Sequence, residues 1–209
     1  MKLGIPVYEG VNLLDVAGPY EMFSWVDASK RLEVLIVSED GRPVTTMNGV
    51  RFEAHGSFAD APSLDVLWTP GGAVDALERI MADPQSAYLS YLNQVSKNES
   101  WVCSVCEGAM LLAQAGLLDG HQATTHWRFV ECLRRFPKID VVEGYPRFVV
   151  SGKRLTGGGI SSGLDEALKL IELLFDQATA QDVQLTTQYF PAPPVTGTIP
   201  APPRCTMHW

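Results

Sequence analysis

Two cysteines three positions apart, Cys103 and Cys106, break the apolar run "VCSVCEGAMLL" at residues 102–112, just ahead of a long apolar stretch with helical pattern. Cysteine packs like a small hydrophobe as a thiol and reacts as a thiolate, so its position decides which it does. Cys106 falls at the end of a short strand pattern, and Glu107-Gly108-Ala109 opens the following helix. A strand-turn-helix junction of this kind exposes a nucleophile at the carboxyl end of a sheet. The unpaired N–H groups of a helix N-terminus favour the thiolate there. Cys106 is therefore expected to react, with a lowered pKa, and Cys103 to sit within the strand. Two other readings stay open. Both cysteines can be core residues, or Cys-Ser-Val-Cys can be a dithiol redox pair, although in thioredoxin-like sites the first cysteine heads the helix and here the second does.

A reacting thiol needs a proton carrier and donors for the negative charge that develops. Asp15, Glu107 and His126 are the candidate acids and bases. Asp15 lies in "NLLDVAGP", where apolar neighbours make a carboxylate costly to bury unless it is paired or protonated. A raised pKa there suits a proton donor; a helix cap is the alternative. His126 in "ATTHW" either pairs with the thiol or packs beside Trp127 and caps a helix. Pro70-Gly71-Gly72 ends the preceding strand, and glycine lets a backbone N–H come close to a ligand. The amides of Gly72 and Glu107 are thus candidate donors to an anion, with a plain turn as the alternative. The sequence offers no cluster of His, Cys and carboxylates at metal-ligand spacing, so no metal is expected.

The elements that must position these residues follow from periodicity. Apolar runs at 2–7 ("KLGIPV") and 32–37 ("LEVLIV") flank a helical pattern at 13–26, a β-α-β unit in which Pro19 is expected in the first helical turn. Asn48-Gly49 marks a hairpin within 44–54. Further strands are expected at 64–69 and 101–105, with helices at 74–82 and 85–97 between them. A helix at 109–118, a short strand at 122–124 and a helix at 127–136 follow. A second hairpin, 145–150 with 153–156 around Ser151-Gly152, leads through Gly157-Gly158-Gly159 to a helix at 161–175. Apolar strands joined by helices imply a mainly parallel α/β sheet covered on both faces. One α/β domain over 1–188 and a Pro-rich tail over 189–209, wrapped on the surface or loose, is the expected division.

The 209 residues carry a net charge of −8 and are 46% hydrophobic, which fits one soluble globular domain and excludes an extended phosphate-binding surface, hence nucleic acid as partner. No segment has the length of a membrane span and no secretory leader is visible, so a cytoplasmic protein with no membrane partner is expected. The irregular spacing of the four cysteines favours reduced thiols, with Cys132 and Cys205 incidental.

Taken together, "LLDVAGPYEMF", "LDVLWTPGG", "SVCEGAMLLAQAGLLDGHQATTHW", "LTGGGISSGLDEAL", "ELLFDQATAQDVQL" and "PAPP" cover most of residues 3–194. With these segments the chain resembles the ThiJ/PfpI superfamily, relatives of class I glutamine amidotransferases, and within it the isonitrile hydratases. The resemblance implies a homodimeric, flavodoxin-like α/β sandwich without a cofactor, Cys106 as nucleophile at a nucleophile elbow, and Asp15 as the acid touching it. It implies hydration of an isonitrile, a small-molecule substrate, to an N-substituted formamide. Similar hydratases carry Thr after the nucleophile, whereas this chain has Glu107, whose charge would oppose a thiolate. Two other functions go with the same resemblance: a ligand-sensing domain like those of AraC-type regulators, and a glyoxalase or protein-repair activity using the same cysteine.

Overall fold

The computed structural model describes residues 1–97 and 100–209. In chain order it forms β1 (Lys2–Pro6), α1 (Leu13–Ser24), β2 (Glu33–Ser38), β3 (Val44–Thr45), β4 (Arg51–Phe52), β5 (Gly56–Ser57), β6 (Val66–Thr69), α2 (Val74–Ala82), α3 (Ala87–Val95), β7 (Trp101–Ser104) and α4 (Gly108–Gln114). The second half adds β8 (Gln122–Ala123), α5 (Val130–Leu133), β9 (Asp140–Val141), β10 (Phe148–Ser151), β11 (Arg154–Gly157), α6 (Ser162–Leu174) and α7 (Gln177–Thr186).

Seven strands make the central sheet in the order β10-β11-β7-β6-β1-β2-β5, parallel except for β10. From β1 the chain steps one way to β2 through α1, and from β6 the other way to β7 through α2 and α3. Right-handed crossovers taken in opposite directions place these helices on opposite faces. Accordingly α1 and α7 each pack on α6, and α2, α3, α4 and α5 form the second group. The expected α/β sandwich is the observed one. The sheet reverses direction of growth between β1 and β6, so Tyr8, Pro70 and Cys106 converge beyond the carboxyl ends of β1, β6 and β7, where open sheets bind ligands.

Pro19 is not in the first turn of α1 but in its interior. There it withholds the N–H that would have bonded the carbonyl of Asp15. The indole N–H of Trp68, a buried residue of β6, donates to that carbonyl instead at 3.1 Å, tying the Asp15 turn to the sheet. The helix expected over 127–136 is shorter: a single 3-10 turn at Trp127–Phe129 runs into α5. Both hairpins form, with Gly49 at φ +85° and Gly152 at φ +61° in their turns.

The cysteines of the periphery correct the sequence reading. Cys132 of α5 and Cys205 of the tail are joined in a disulfide across 73 positions and are neither reduced nor incidental. The tail is docked there: Met207 is buried, its carbonyl accepts from Arg135 at 3.0 Å, and Trp209 stacks on Phe136. Among the described residues no helix is long and apolar enough to cross a membrane.

Candidate active site

Between the end of β7 and the start of α4 the chain turns through Val105-Cys106-Glu107, and Cys106 takes φ +56°. This left-handed conformation costs a non-glycine residue roughly 1–3 kcal/mol and persists only when its surroundings impose it. They do so through hydrogen bonds. The Val105 N–H donates to the Thr69 carbonyl (3.1 Å), the Cys106 N–H to the Gly158 carbonyl (2.8 Å), and the Thr125 hydroxyl to the Cys106 carbonyl (2.8 Å). Gly108 lets α4 pass over the end of β6, since a Cβ there would collide with the Thr69 carbonyl.

Asp15 reaches the turn from α1. The N-cap of that helix is Asn12, whose side chain accepts from the Leu14 N–H at 3.1 Å, so Asp15 is not its cap. One Asp15 oxygen accepts the Gly71 N–H at 3.0 Å, and the other is buried with no hydrogen-bond partner. The Cys106 sulfur and one carboxylate oxygen each from Asp15 and Glu107 lie within 4.8 Å of one another. All three side chains are buried. Gly71 is required for this closeness, because a Cβ at that position would stand 2.5 Å from a Glu107 oxygen and 2.7 Å from the Glu107 nitrogen.

Burial sets the protonation states. It pushes the Asp15 carboxyl well above the usual range, and the neighbouring Glu107 pushes it further, against the pull of the Gly71 N–H and the Cys106 thiol. Glu107 is likewise raised by burial. Burial, then Asp15 and Glu107, push the Cys106 thiol well up; the Ile160 N–H, which faces the sulfur, opposes them. The lowered thiol pKa expected from the helix N-terminus is therefore not found; the shift is upward. The environment disfavours the charged form of all three groups, because burial penalises each charge and the carboxyl groups oppose a thiolate.

The Gly72 and Glu107 amides act on the Glu107 carboxyl, lowering its pKa against the effect of burial. His126 stands apart from the cluster: its Nδ1 accepts from the Arg128 N–H at 3.2 Å, the capping role, and burial lowers its pKa. Its ring packs where a Cβ on Gly159 would lie. Cys103 is buried within β7, as a core residue. A cavity of about 370 Å³ lies alongside the elbow, walled by Thr125, His126, Trp127, Gly158, Ile160 and Ile199 among others.

Cys106, Asp15 and Glu107 are also, among the described residues, the grouping that could hold a metal ion. Their upward pKa shifts disfavour the deprotonated forms that a cation would need.

The sequence reading missed Tyr8, whose hydroxyl donates to the Pro70 carbonyl at 3.1 Å and whose pKa is raised by burial and by nearby Tyr88, Glu107, Asp15 and Cys106. Its place just after β1, at the carboxyl end of a central strand, was the available signal. It also missed Glu166 of α6, fully buried with neither oxygen paired.

This geometry meets a matching family model: residues 1–173 fit that of the DJ-1/PfpI family. The chain belongs to the DJ-1/PfpI family. Within the DJ-1/PfpI proteins it is similar to isonitrile hydratase of Pseudomonas putida, 37% identical over 93% of this chain and 81% of that protein. It is 29% identical to the HTH-type transcriptional regulator CdhR of Pseudomonas aeruginosa over 73% of this chain and 42% of that protein. Among solved structures, a ThiJ/PfpI family protein from Pseudomonas syringae matches with a TM-score of 0.83 and 31% identity, covering 93% of this chain and 77% of that one.

Proposed function

We propose that the protein hydrates isonitriles to N-substituted formamides, with Cys106 as nucleophile and Asp15 as general acid and base. The observation that carries this reading is the buried grouping of the Cys106 sulfur with the Asp15 and Glu107 carboxyl groups, within 4.8 Å of one another, in surroundings that raise the pKa of each. Similarity to isonitrile hydratase over 93% of the chain supports it.

An isonitrile needs a nucleophile and a proton at the same carbon. The Cys106 sulfur forms a bond to the terminal carbon while a proton, passed through Asp15, arrives on that carbon; the carbon–nitrogen triple bond becomes the double bond of a thioimidate. Water then adds its oxygen to the same carbon, passing one proton to Asp15 as Asp15 gives its own to the nitrogen. The tetrahedral adduct collapses by breaking the carbon–sulfur bond: its hydroxyl proton goes to Asp15, Asp15 returns one to the sulfur, and formamide leaves. Over the cycle one water is consumed and the thiol and acid are regenerated. A proton donor within a few ångströms of the reacting atom contributes about 10²–10⁴ in rate. Glu107, buried beside the sulfur, raises the thiol pKa, so the sulfur keeps its proton until that proton is passed on through Asp15. Gly71 keeps Asp15 and Glu107 close, and His126 contributes to the wall that receives the substituent. A homodimer in the cytoplasm, acting on a small molecule without a cofactor, completes the proposal.

Asp15→Asn tests the assignment. This variant is expected to stay folded and to form both the Cys106 adduct, seen by intact-mass spectrometry, and the formamide about 10²-fold or more slowly than wild type. Turnover at the wild-type rate in Asp15→Asn would remove Asp15 from the mechanism. The similarity to CdhR supports a competing reading as a ligand-sensing domain, which predicts saturable binding with no product. A glyoxalase or repair activity predicts turnover of an α-ketoaldehyde instead.

A further inference from the structure

The cavity beside the elbow is built from two unrelated parts of the chain. Its inner wall is made by Thr125, Gly158 and Ile160, the residues that bond the Cys106 backbone or face its sulfur. Its outer wall includes Ile199, from the segment after Tyr189 that belongs to no helix or strand. That segment, "PAPPVTGTIPAPP", carries prolines at Pro191, Pro193, Pro194, Pro200, Pro202 and Pro203. Proline lacks the N–H a sheet ladder needs but favours a stiff extended chain, so such a strap holds its course when both ends are fixed.

Both ends are fixed here. Upstream, the Tyr189 N–H donates to the Gln184 carbonyl at 3.0 Å and its hydroxyl to Asp165 at 3.1 Å. Downstream, Cys205 is bonded to Cys132. Beyond it the Arg135 guanidinium lies 4.1 Å from the Trp209 ring, and the His208 N–H donates to Glu78 at 2.7 Å. Between these anchors Ile199, half-exposed, lines the cavity.

We propose that this strap sets the size of substituent the site accepts: Ile199 closes the outer side of the cavity, and the Cys132–Cys205 bond keeps it closed. The inference deepens the proposed function and rests on it for the substrate class alone. Reduction opens the strap. A small dithiol exchanges with the bond, two electrons and two protons pass to the sulfurs, thiols remain at Cys132 and Cys205, and the reductant closes as its own cyclic disulfide. In the reducing cytoplasm the open form would then prevail, and oxidation would narrow the range of substituents accepted.

The test compares alkylation of Cys106 by iodoacetamide and by an N-aryl iodoacetamide with a bulky ring, at alkaline pH and read on the Cys106 peptide by mass spectrometry. The forms compared are wild type, wild type reduced with the dithiol and desalted, Cys205→Ser and Ile199→Ala. The bulky-to-small rate ratio is expected to rise about tenfold in each opened form, the discrimination that one or two methylenes of pocket space provide. Ile199→Trp is expected to lower it. An unchanged ratio in Ile199→Ala and Cys205→Ser would overturn the proposal, as would equal gains for both reagents, which mean a loosened elbow. Absence of labelling at Cys106 in every form would overturn it too, since the cavity would not lead to the thiol. If isonitriles are turned over, kcat/KM for bulky and small isonitriles is expected to follow the same ratio. If none is, the alkylation ratio still decides the strap, so the two failures are separable.

Discussion

Three acids share one buried pocket at the carboxyl ends of the central strands, and burial makes each of them harder to ionise. Cys106 carries this most clearly, because burial and two carboxyl neighbours act against the single Ile160 N–H that favours its anion. Replacing Glu107 with Thr removes one of those neighbours along with its hydrogen bond to the thiol. The thiolate absorbance of Glu107→Thr in a pH titration is therefore expected to begin at lower pH than in wild type; an onset at the same pH or higher would contradict the electrostatic account. The sequence showed Cys106 and Asp15 because their residue types clash with their apolar settings. It showed the wrong charge on Cys106, because helix N-terminal amides were expected to face the sulfur, whereas the Cys106 N–H goes to the Gly158 carbonyl and the Glu107 N–H to its own carboxyl.

Among the elements, α1 and β6 cooperate through an exchange of hydrogen bonds. Pro19 leaves the Asp15 carbonyl without its helical donor, and the Trp68 indole supplies another from the sheet. Trp68→Phe leaves that buried carbonyl unpaired, at a cost of about 1–3 kcal/mol. The variant is expected to unfold at lower denaturant concentration and to lose kcat with KM little changed, since the Asp15 turn loses its tie; unchanged kcat and stability would show the indole bond to be idle. Pairing of this sort is long-range and leaves no mark on local periodicity. The long apolar runs, the two Gly-containing hairpins and α6 were legible because their patterns are local. The short strands β5 and β9 and the weakly amphipathic α7 were not, since two-residue pairings and a polar ten-residue helix stand on tertiary contacts.

For the whole molecule, the buried acids tie stability to pH. Asp15 and Glu166 have pKa values well above their usual 3.8 and 4.5 because burial disfavours their charge, and Glu107 is shifted the same way. The folded state thus holds protons that the unfolded chain releases, so stability is fullest below the ordinary carboxylate range and declines as pH rises from there toward the raised values. Each such group contributes a slope of about 1.4 kcal/mol per pH unit across its window. Glu166 has neither oxygen paired, so Glu166→Gln is expected to flatten the decline seen by chemical denaturation as pH rises above the ordinary carboxylate range. An identical slope in both proteins would place the titration elsewhere. The tail is the other feature of this scale. Its Pro-rich composition said only that it was not helix or central strand, and spacing alone could not pair Cys205 with Cys132, which are 73 positions apart. The central claim concerns what the assembled site does, and product analysis tests it most directly. Purified protein given a simple aryl isonitrile is expected to release the matching formamide, followed by NMR, with the activity lost in Cys106→Ala and largely kept in Cys103→Ser. No formamide from folded wild-type protein, or equal production by Cys106→Ala, would contradict the account.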